Sequence, residues 1–141
     1  MPIKEYVHGD GKDYQLWGNV GRLIVDVEVH KKLGTAVSSK EKDIWWVNMT
    51  EKSMTTGFAS ARPMLNKNFH LRYFYSSTDS EMELKTLIMR AVNYAKEHDF
   101  NMIYTNQPRN FTLLEQLGFK PIPKEKGNFI KWEMNNLKET S

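Results

Sequence analysis

The segment from Ser80 to Phe100 constrains the fold of this chain more than any other. Ser80-Glu81-Met82-Glu83 reads as a capping box: the serine oxygen accepts an early backbone N–H, and the glutamate three residues on reaches back to the serine N–H. Leu84, Leu87, Ile88, Ala91, Val92 and Ala95 follow at helical spacing in one apolar stripe, with Lys85, Arg90, Lys96 and Glu97 mainly outside it. Such a stripe has to be buried, and the short strand Met102-Ile103-Tyr104-Thr105 that comes next points to a sheet as its partner.

Beyond that strand, Asn106-Gln107-Pro108 offers capping side chains and a proline suited to a first helical turn, which predicts a second helix running to about Leu117. Gly118 can take the left-handed conformation just past its end and return Phe119 toward Leu114 in a Schellman-type stop. A closing hairpin follows: Lys120-Pro121-Ile122, a polar turn at Lys126-Gly127, and a strand from Asn128 to Met134 in which Ile130, Trp132 and Met134 alternate with Phe129, Lys131 and Glu133. Asn135 to Ser141 reads as a frayed tail. Upstream, Leu23 to Val29, Ile44 to Met49, Thr55 to Met64 and Phe69 to Tyr75 have the β-branched and aromatic content of strands. Lys31 to Asp43 is polar and weakly patterned, and reads equally as a long hairpin loop or a short irregular helix. No linker rich in Pro, Gly or Ser divides the 141 residues, so a single domain over 1–141 is expected.

Several classes of function drop out on composition. With no cysteine there is no disulfide scaffold, thiolate zinc site or cysteine nucleophile, and His8, His30, His70 and His98 lack metal-ligand spacing, so no metal is expected. No stretch approaches the ~20 apolar residues of a membrane span, and Met1 to Asp10 has no apolar signal core, so no membrane partner and a cytoplasmic location are expected. The net charge of +3 is spread evenly, with ten Lys and Arg against eight Asp and Glu in residues 1–70 and ten against nine in the rest. A nucleic-acid reader concentrates its basic residues, because each phosphate contact must release a counterion. Lys120, Lys124, Lys126 and Lys131 come nearest to such a cluster, but Glu125 and Glu133 interrupt them and a solvated hairpin is expected. Trp45, Trp46 and Trp132 are assigned to the core rather than to an aromatic binding face.

Taken together, the element order resembles the C-terminal two thirds of the Gcn5-related N-acetyltransferase (GNAT) fold, over roughly residues 44 to 134. The Ser80 to Phe100 helix, the Met102 to Thr105 strand, the run Asn110-Phe111-Thr112-Leu113-Leu114-Glu115-Gln116-Leu117-Gly118-Phe119 and the Asn128 to Met134 strand carry the likeness. It implies a mixed α/β architecture: a mostly antiparallel sheet with one parallel, splayed strand pair and flanking helices. It also implies acetyl-CoA or another acyl-CoA at the splay, with pantetheine on the open strand edge and pyrophosphate on the amides of the following helix. The acyl group would pass to an amine acceptor by direct attack. On that likeness Tyr75, Ser76, Ser77, Thr78, Asn106 and Asn110 are cofactor-binding candidates, His70 the candidate base and Tyr73 the candidate acid, with Tyr75 and Tyr104 as other tyrosines and Asp26 and Glu28 as more distant bases.

The chain departs from the family in two places. Where members carry Arg/Gln-x-x-Gly-x-Gly/Ala, this chain reads Ser76-Ser77-Thr78-Asp79-Ser80-Glu81-Met82-Glu83. A loop without glycine is expected to resist positive φ, and Asp79, Glu81 and Glu83 to repel a pyrophosphate. Leu114 stands where many members have the tyrosine that returns a proton to the departing thiolate. Small phage-encoded GNAT-like proteins, including internal virion proteins of podoviruses, are similar in brevity, in a weak glycine loop and in a helix resembling Lys85-Thr86-Leu87-Ile88-Met89-Arg90. Three readings follow: an N-acyltransferase; a non-catalytic GNAT-like protein-interaction or structural protein, of viral or other origin; and a nucleic-acid-binding module.

Overall fold

The computed structural model describes residues 3–124 and 126–137. Seven strands form one sheet in the order β1-β2-β3-β4-β5-β7-β6, with β1 at Ile3–Val7, β2 at Ile44–Met49, β3 at Thr55–Pro63, β4 at Asn68–Ser76, β5 at Met102–Pro108, β6 at Lys120–Ile122 and β7 at Phe129–Met134. Every neighbouring pair is antiparallel except β4 with β5. The fold is thus mixed α/β with one parallel pair, as the sequence predicts.

Helix α3, Glu81–Glu97, lays Leu87, Ile88, Ala91, Val92 and Ala95 on one face of the sheet, against Trp46, Phe69, Leu71 and Ile103. Helices α1, Asp13–Ile24, and α2, Val27–Leu33, cover the other face, where Leu16, Val20 and Val29 pack with Trp45, Val47, Phe58 and Tyr73. Successive strand residues point to opposite faces, so Trp45 and Trp46 each enter a different core. Each indole N–H keeps a partner: Trp45 Nε1 donates to Ser39 Oγ at 3.0 Å and Trp46 Nε1 to Glu5 Oε1 at 2.9 Å. Trp132 is buried as well. The hairpin lysines Lys120, Lys124 and Lys126 are exposed, and Lys131 pairs with Glu133 at 3.6 Å; Glu125 lies outside the described residues.

The strand expected over Leu23 to Val29 is instead the end of α1, a turn and the start of α2. Asp26 caps α2 by accepting the Glu28 N–H at 2.8 Å, and Gly34, with φ of 79°, closes it. The alternating Val25, Val27 and Val29 imitate a strand, but only Val29 is buried; Val25 and Val27 are 73% and 62% exposed. Lys31 to Leu33 therefore belong to α2, and the rest of the unreadable stretch is an irregular connection into β2. Of the two N-terminal helices, α1 lies wholly before the 31–43 segment and only the last three residues of α2 enter it.

The second predicted helix is also shorter than expected. β5 continues through Asn106, Gln107 and Pro108, which pair with Lys131, Ile130 and Phe129 of β7, and α4 is only Thr112–Gln116. Proline at the strand's last residue leaves the ladder intact. The stop itself is as read: Gly118 has φ of 102°, its N–H donates to Glu115 O at 3.1 Å, and the Phe119 N–H donates to Leu114 O at 3.0 Å. Within the segment read as a tail, Leu137 is buried and its N–H donates to Asn101 O at 3.1 Å, while 138–141 lie outside the described residues.

Only half of the capping box forms. Ser80 Oγ accepts the Glu83 N–H at 3.1 Å, but the Ser80 N–H donates to Ser76 Oγ at 3.0 Å, and the Glu83 side chain turns inward. Its Oε2 accepts from Asn48 Nδ2 and from the Thr56 hydroxyl, both at 2.5 Å, and the residue is 4% exposed. Gly57 makes the room: a Cβ there would lie 2.6 Å from Tyr75 O and 2.9 Å from Glu83 Cδ. Gly57→Ala therefore has to displace either strand backbone or this carboxylate. We expect it to lower stability by about 1–3 kcal/mol in urea denaturation, the usual cost of overpacking; an unchanged midpoint would show that α3 is not pinned there.

Candidate functional site

β4 and β5 pair only through Asn68 with Met102, Phe69 with Ile103 and His70 with Tyr104. Beyond that rung β4 stays with β3 to Ser76 and β5 stays with β7 to Pro108, so the two strands part. A bulge lies next to the parting point: Ser60 faces Tyr73 while Ala61 faces Leu71, which makes Arg72 the extra residue of β4. A bulge bends its strand and increases the twist, turning the far half of β4 away from a straight neighbour.

Two cavities occupy the gap and share Leu33 and Gln107 as walls. One, of 270 Å³, is lined by His70, Arg72, Tyr73, Asn106 and Phe129, and the other, of 140 Å³, by Lys32, Tyr75, Ser76, Asp79 and Phe111. A broader depression beside Glu83 is lined by the β2–β3 turn and the start of α3 and touches no residue of β5. The splay is the better candidate because there two paired strands part and leave a strand edge facing a cavity inside the sheet.

His70 stacks on Tyr104, with ring centroids 4.5 Å apart and planes 9° from parallel, and Lys131 Nζ lies 4.8 Å from the Tyr104 ring centre. Burial, then the charges of Arg72 and Arg62, push the His70 pKa down to about 4, so the imidazole is neutral at pH 7. Burial likewise holds the Tyr104 hydroxyl above its ordinary range. Tyr73 is 3% exposed, and its hydroxyl donates to Ala36 O at 3.2 Å while accepting from Ser38 N at 3.1 Å and Arg72 Nη2 at 2.9 Å. Its proton is thus engaged in holding the 36–38 segment.

The other expected residues are spread along the gap. The Tyr75 ring packs on Phe58 at 5.5 Å, and Ser76 is buried with its Oγ accepting the Ser80 N–H. Ser77 and Thr78 are exposed on the loop, where the Ser77 N–H donates to Thr56 O at 2.8 Å. Asn106 is in the wall of the larger cavity, whereas Asn110 sits in the turn before α4, away from both cavity walls. Asp26 is the α2 cap, and Glu28 pairs with Lys31 at 3.4 Å on the surface.

Lys32 escapes a reading of the sequence. From the last turn of α2 its Nζ lies 2.5 Å from Asp79 Oδ1, donates to Ser76 O at 3.3 Å, and stands 5.3 Å from the Tyr75 ring centre. Its only local signal is a lysine two residues before a helix-ending glycine. The loop it reaches also behaves differently from expectation. Asp79 has φ of 54° and takes the left-handed conformation without glycine, as aspartate more readily does than most side chains. The expected repulsion shrinks too, because Asp79 faces Lys32 and Glu83 is turned into the sheet, leaving Glu81 exposed.

An unpaired strand edge, a left-handed loop, a capped 17-residue helix and a lysine together fit an extended ligand ending in a diphosphate. Leu114 is fully buried in the core and can supply no proton. Among the described residues no group of three His, Asp or Glu could hold a metal ion, and no helix is long and apolar enough to cross a membrane.

Neither a protein-family model nor a curated protein matches the sequence. Solved structures do. An acetyltransferase of the GNAT family from Staphylococcus aureus Mu50 superposes with a TM-score of 0.63 at 11% identity, over 95% of this chain and 99% of that one. The aminoglycoside 6'-N-acetyltransferase from Enterococcus faecium gives 0.64 at 11% identity, over 96% and 97%. A Bacillus anthracis structure, assigned as a streptothricin acetyltransferase and solved in complex with acetyl coenzyme A, gives 0.58 at 17% identity over 69% and 64%. Such identities show the fold, which is that of the GNAT acetyltransferases, and it extends over nearly the whole chain rather than its last two thirds.

The state of His70 can be measured directly. We expect its imidazole to titrate near pH 4 by NMR, well below the ordinary value of 6.5. A histidine whose folded pKa is depressed stabilises the fold fully above its unfolded pKa and loses that contribution as pH falls from about 6.5 toward 4. His70→Gln should flatten that part of the stability profile; a midpoint near 6.5 would contradict the burial and charge described above.

Proposed function

We propose that this GNAT-fold chain is an N-acyltransferase that transfers an acyl group from acyl-CoA to an amine. The parting of β4 and β5 beyond His70 and Tyr104 carries the reading, because it leaves a strand edge and a cavity where two strands would otherwise close on each other. Bound acyl-CoA supplies a thioester whose carbonyl carbon the amine attacks directly, the C–S bond breaking as the amide forms and sulfur leaving as thiolate. Lys32 and the first-turn amides of α3 receive the diphosphate, and Tyr75 and Ser76 flank the arm along the β4 edge. The bulge at Arg72 takes backbone out of the regular β3 ladder, which gives β4 polar groups to offer the thioester oxygen.

Within this scheme His70, neutral and in the cavity wall, accepts a hydrogen bond from the attacking amine and orients its lone pair. A group with a pKa of about 4 holds the amine better than it strips a proton, so the proton passes on to solvent. Tyr73 has its hydroxyl proton on Ala36 O, and the thiolate is reprotonated by solvent. The structural neighbours that are aminoglycoside acetyltransferases, and one solved with acetyl coenzyme A, support both the donor and an amine acceptor. The same reading places the protein in the cytoplasm, where acyl-CoA is made.

A non-catalytic reading has one observation of its own: buried Leu114 at the position of the family's tyrosine. Titration with acetyl-CoA separates the two. At 100 times its dissociation constant the ligand should stabilise the fold by about 2.7 kcal/mol; no thermal shift at millimolar concentration would remove the transferase reading. Given binding, His70→Ala should slow transfer by about tenfold, the worth of one orienting hydrogen bond, with acetyl-CoA affinity kept. Tyr73→Phe should cost about 1 kcal/mol of stability and leave kcat nearly unchanged.

A further inference from the structure

We infer that the amine acceptor carries a carboxylate, as an amino acid does, and that Arg72 receives it in the larger cavity of the splay. The inference rests on the transferase reading and narrows its substrate. None of the described residues lining the 270 Å³ cavity is an Asp or Glu, and its polar wall is Thr35, His70, Arg72, Tyr73, Asn106 and Gln107. The carboxylate behind Arg72 is already committed. Asp43 is fully buried, takes a two-pronged bond from Arg62 at 2.7 and 2.8 Å, accepts the Lys40 N–H at 3.0 Å, and lies 3.5 Å from Arg72. One carboxylate thus stands between two guanidinium groups, which leaves a positive charge in excess. Across the gap, Glu133 faces Tyr104 in register but is paired with Lys131.

The same two charges, after burial, oppose the protonated form of the His70 imidazole on the cavity wall. A polycationic acceptor entering this cavity would find no acid for its second ammonium, whereas a carboxylate would compensate the excess charge. Arg72 is also held for the task. Its terminal nitrogens donate to Ser38 O, Ser38 Oγ and Tyr73 Oη, so the guanidinium needs no ordering when a ligand arrives. On the opposite wall Asn106 is exposed and offers amide donors. The volume suits a ligand smaller than a drug-sized molecule, with Leu33 and Phe129 as its apolar sides.

The test is initial-rate kinetics with acetyl-CoA and three acceptor sets: the common L-amino acids one by one, the carboxamide of each, and spermidine and kanamycin. At least one amino acid should exceed its carboxamide by about tenfold in kcat/KM, the factor expected of a charge-assisted hydrogen bond, with spermidine and kanamycin poorer still. Arg72→Gln should abolish that ratio through KM for the amino acid and leave KM for acetyl-CoA unchanged. Arg72→Lys, which keeps the charge, should restore part of it, and circular dichroism of both variants separates misfolding from lost recognition. Equal rates for acid and amide, or a preference for spermidine or kanamycin, would overturn the inference and leave the transferase standing. No turnover of any amino acid would also overturn it, and acetyl-CoA binding by the same preparation shows whether the transferase reading falls as well.

Discussion

β4 is bound to β3 along its whole length and to β5 along three residues, and the rest of the site depends on that inequality. A strand fully committed on one edge cannot follow two neighbours that twist apart, and the extra residue at Arg72 adds bend where the second neighbour is lost. The last shared rung, His70 against Tyr104, is a stacked aromatic pair. It marks where pairing stops and where groups from both strands begin to face one space. The two helical layers hold this arrangement from either side, α3 on one face and α1 with α2 on the other.

Charge in the gap is distributed by partners far apart in the chain. Lys32 meets the loop after β4, so a segment rich in acids presents a cation beside its helix start. Asp43 serves Arg62 and Arg72 together, and the two guanidinium groups set the electrostatic character of the Arg72 side of the gap. The Lys32 end of the gap is therefore balanced by Asp79, and the excess positive charge lies beside Arg72.

Helix α3, the β2 bounds, the burial of the three strand tryptophans and the Gly118 stop were legible because each is written in local spacing or a local cap. The N-terminal helices were not, since α2 is a seven-residue helix whose valines alternate like a strand and whose place is decided by packing on Tyr73 and Trp45. Pro108 looked like a first helical residue because its pairing with Phe129 lies twenty-one positions downstream. At the site, His70 and Asn106 could be named from the likeness to a known fold. The hydroxyl partners of Tyr73, the reach of Lys32 to Asp79 and the inward turn of Glu83 could not, because each joins segments that only tertiary structure brings together.

That inward turn changes how the start of α3 meets a ligand. Glu83 ties the first turn of the helix to Asn48 on β2 and Thr56 on β3, and Gly57 supplies the space for its carboxylate. A helix end pinned in this way by its own scaffold has little disorder left to lose. Rigidity at this end of α3 comes from a buried carboxylate rather than from the loop that precedes it.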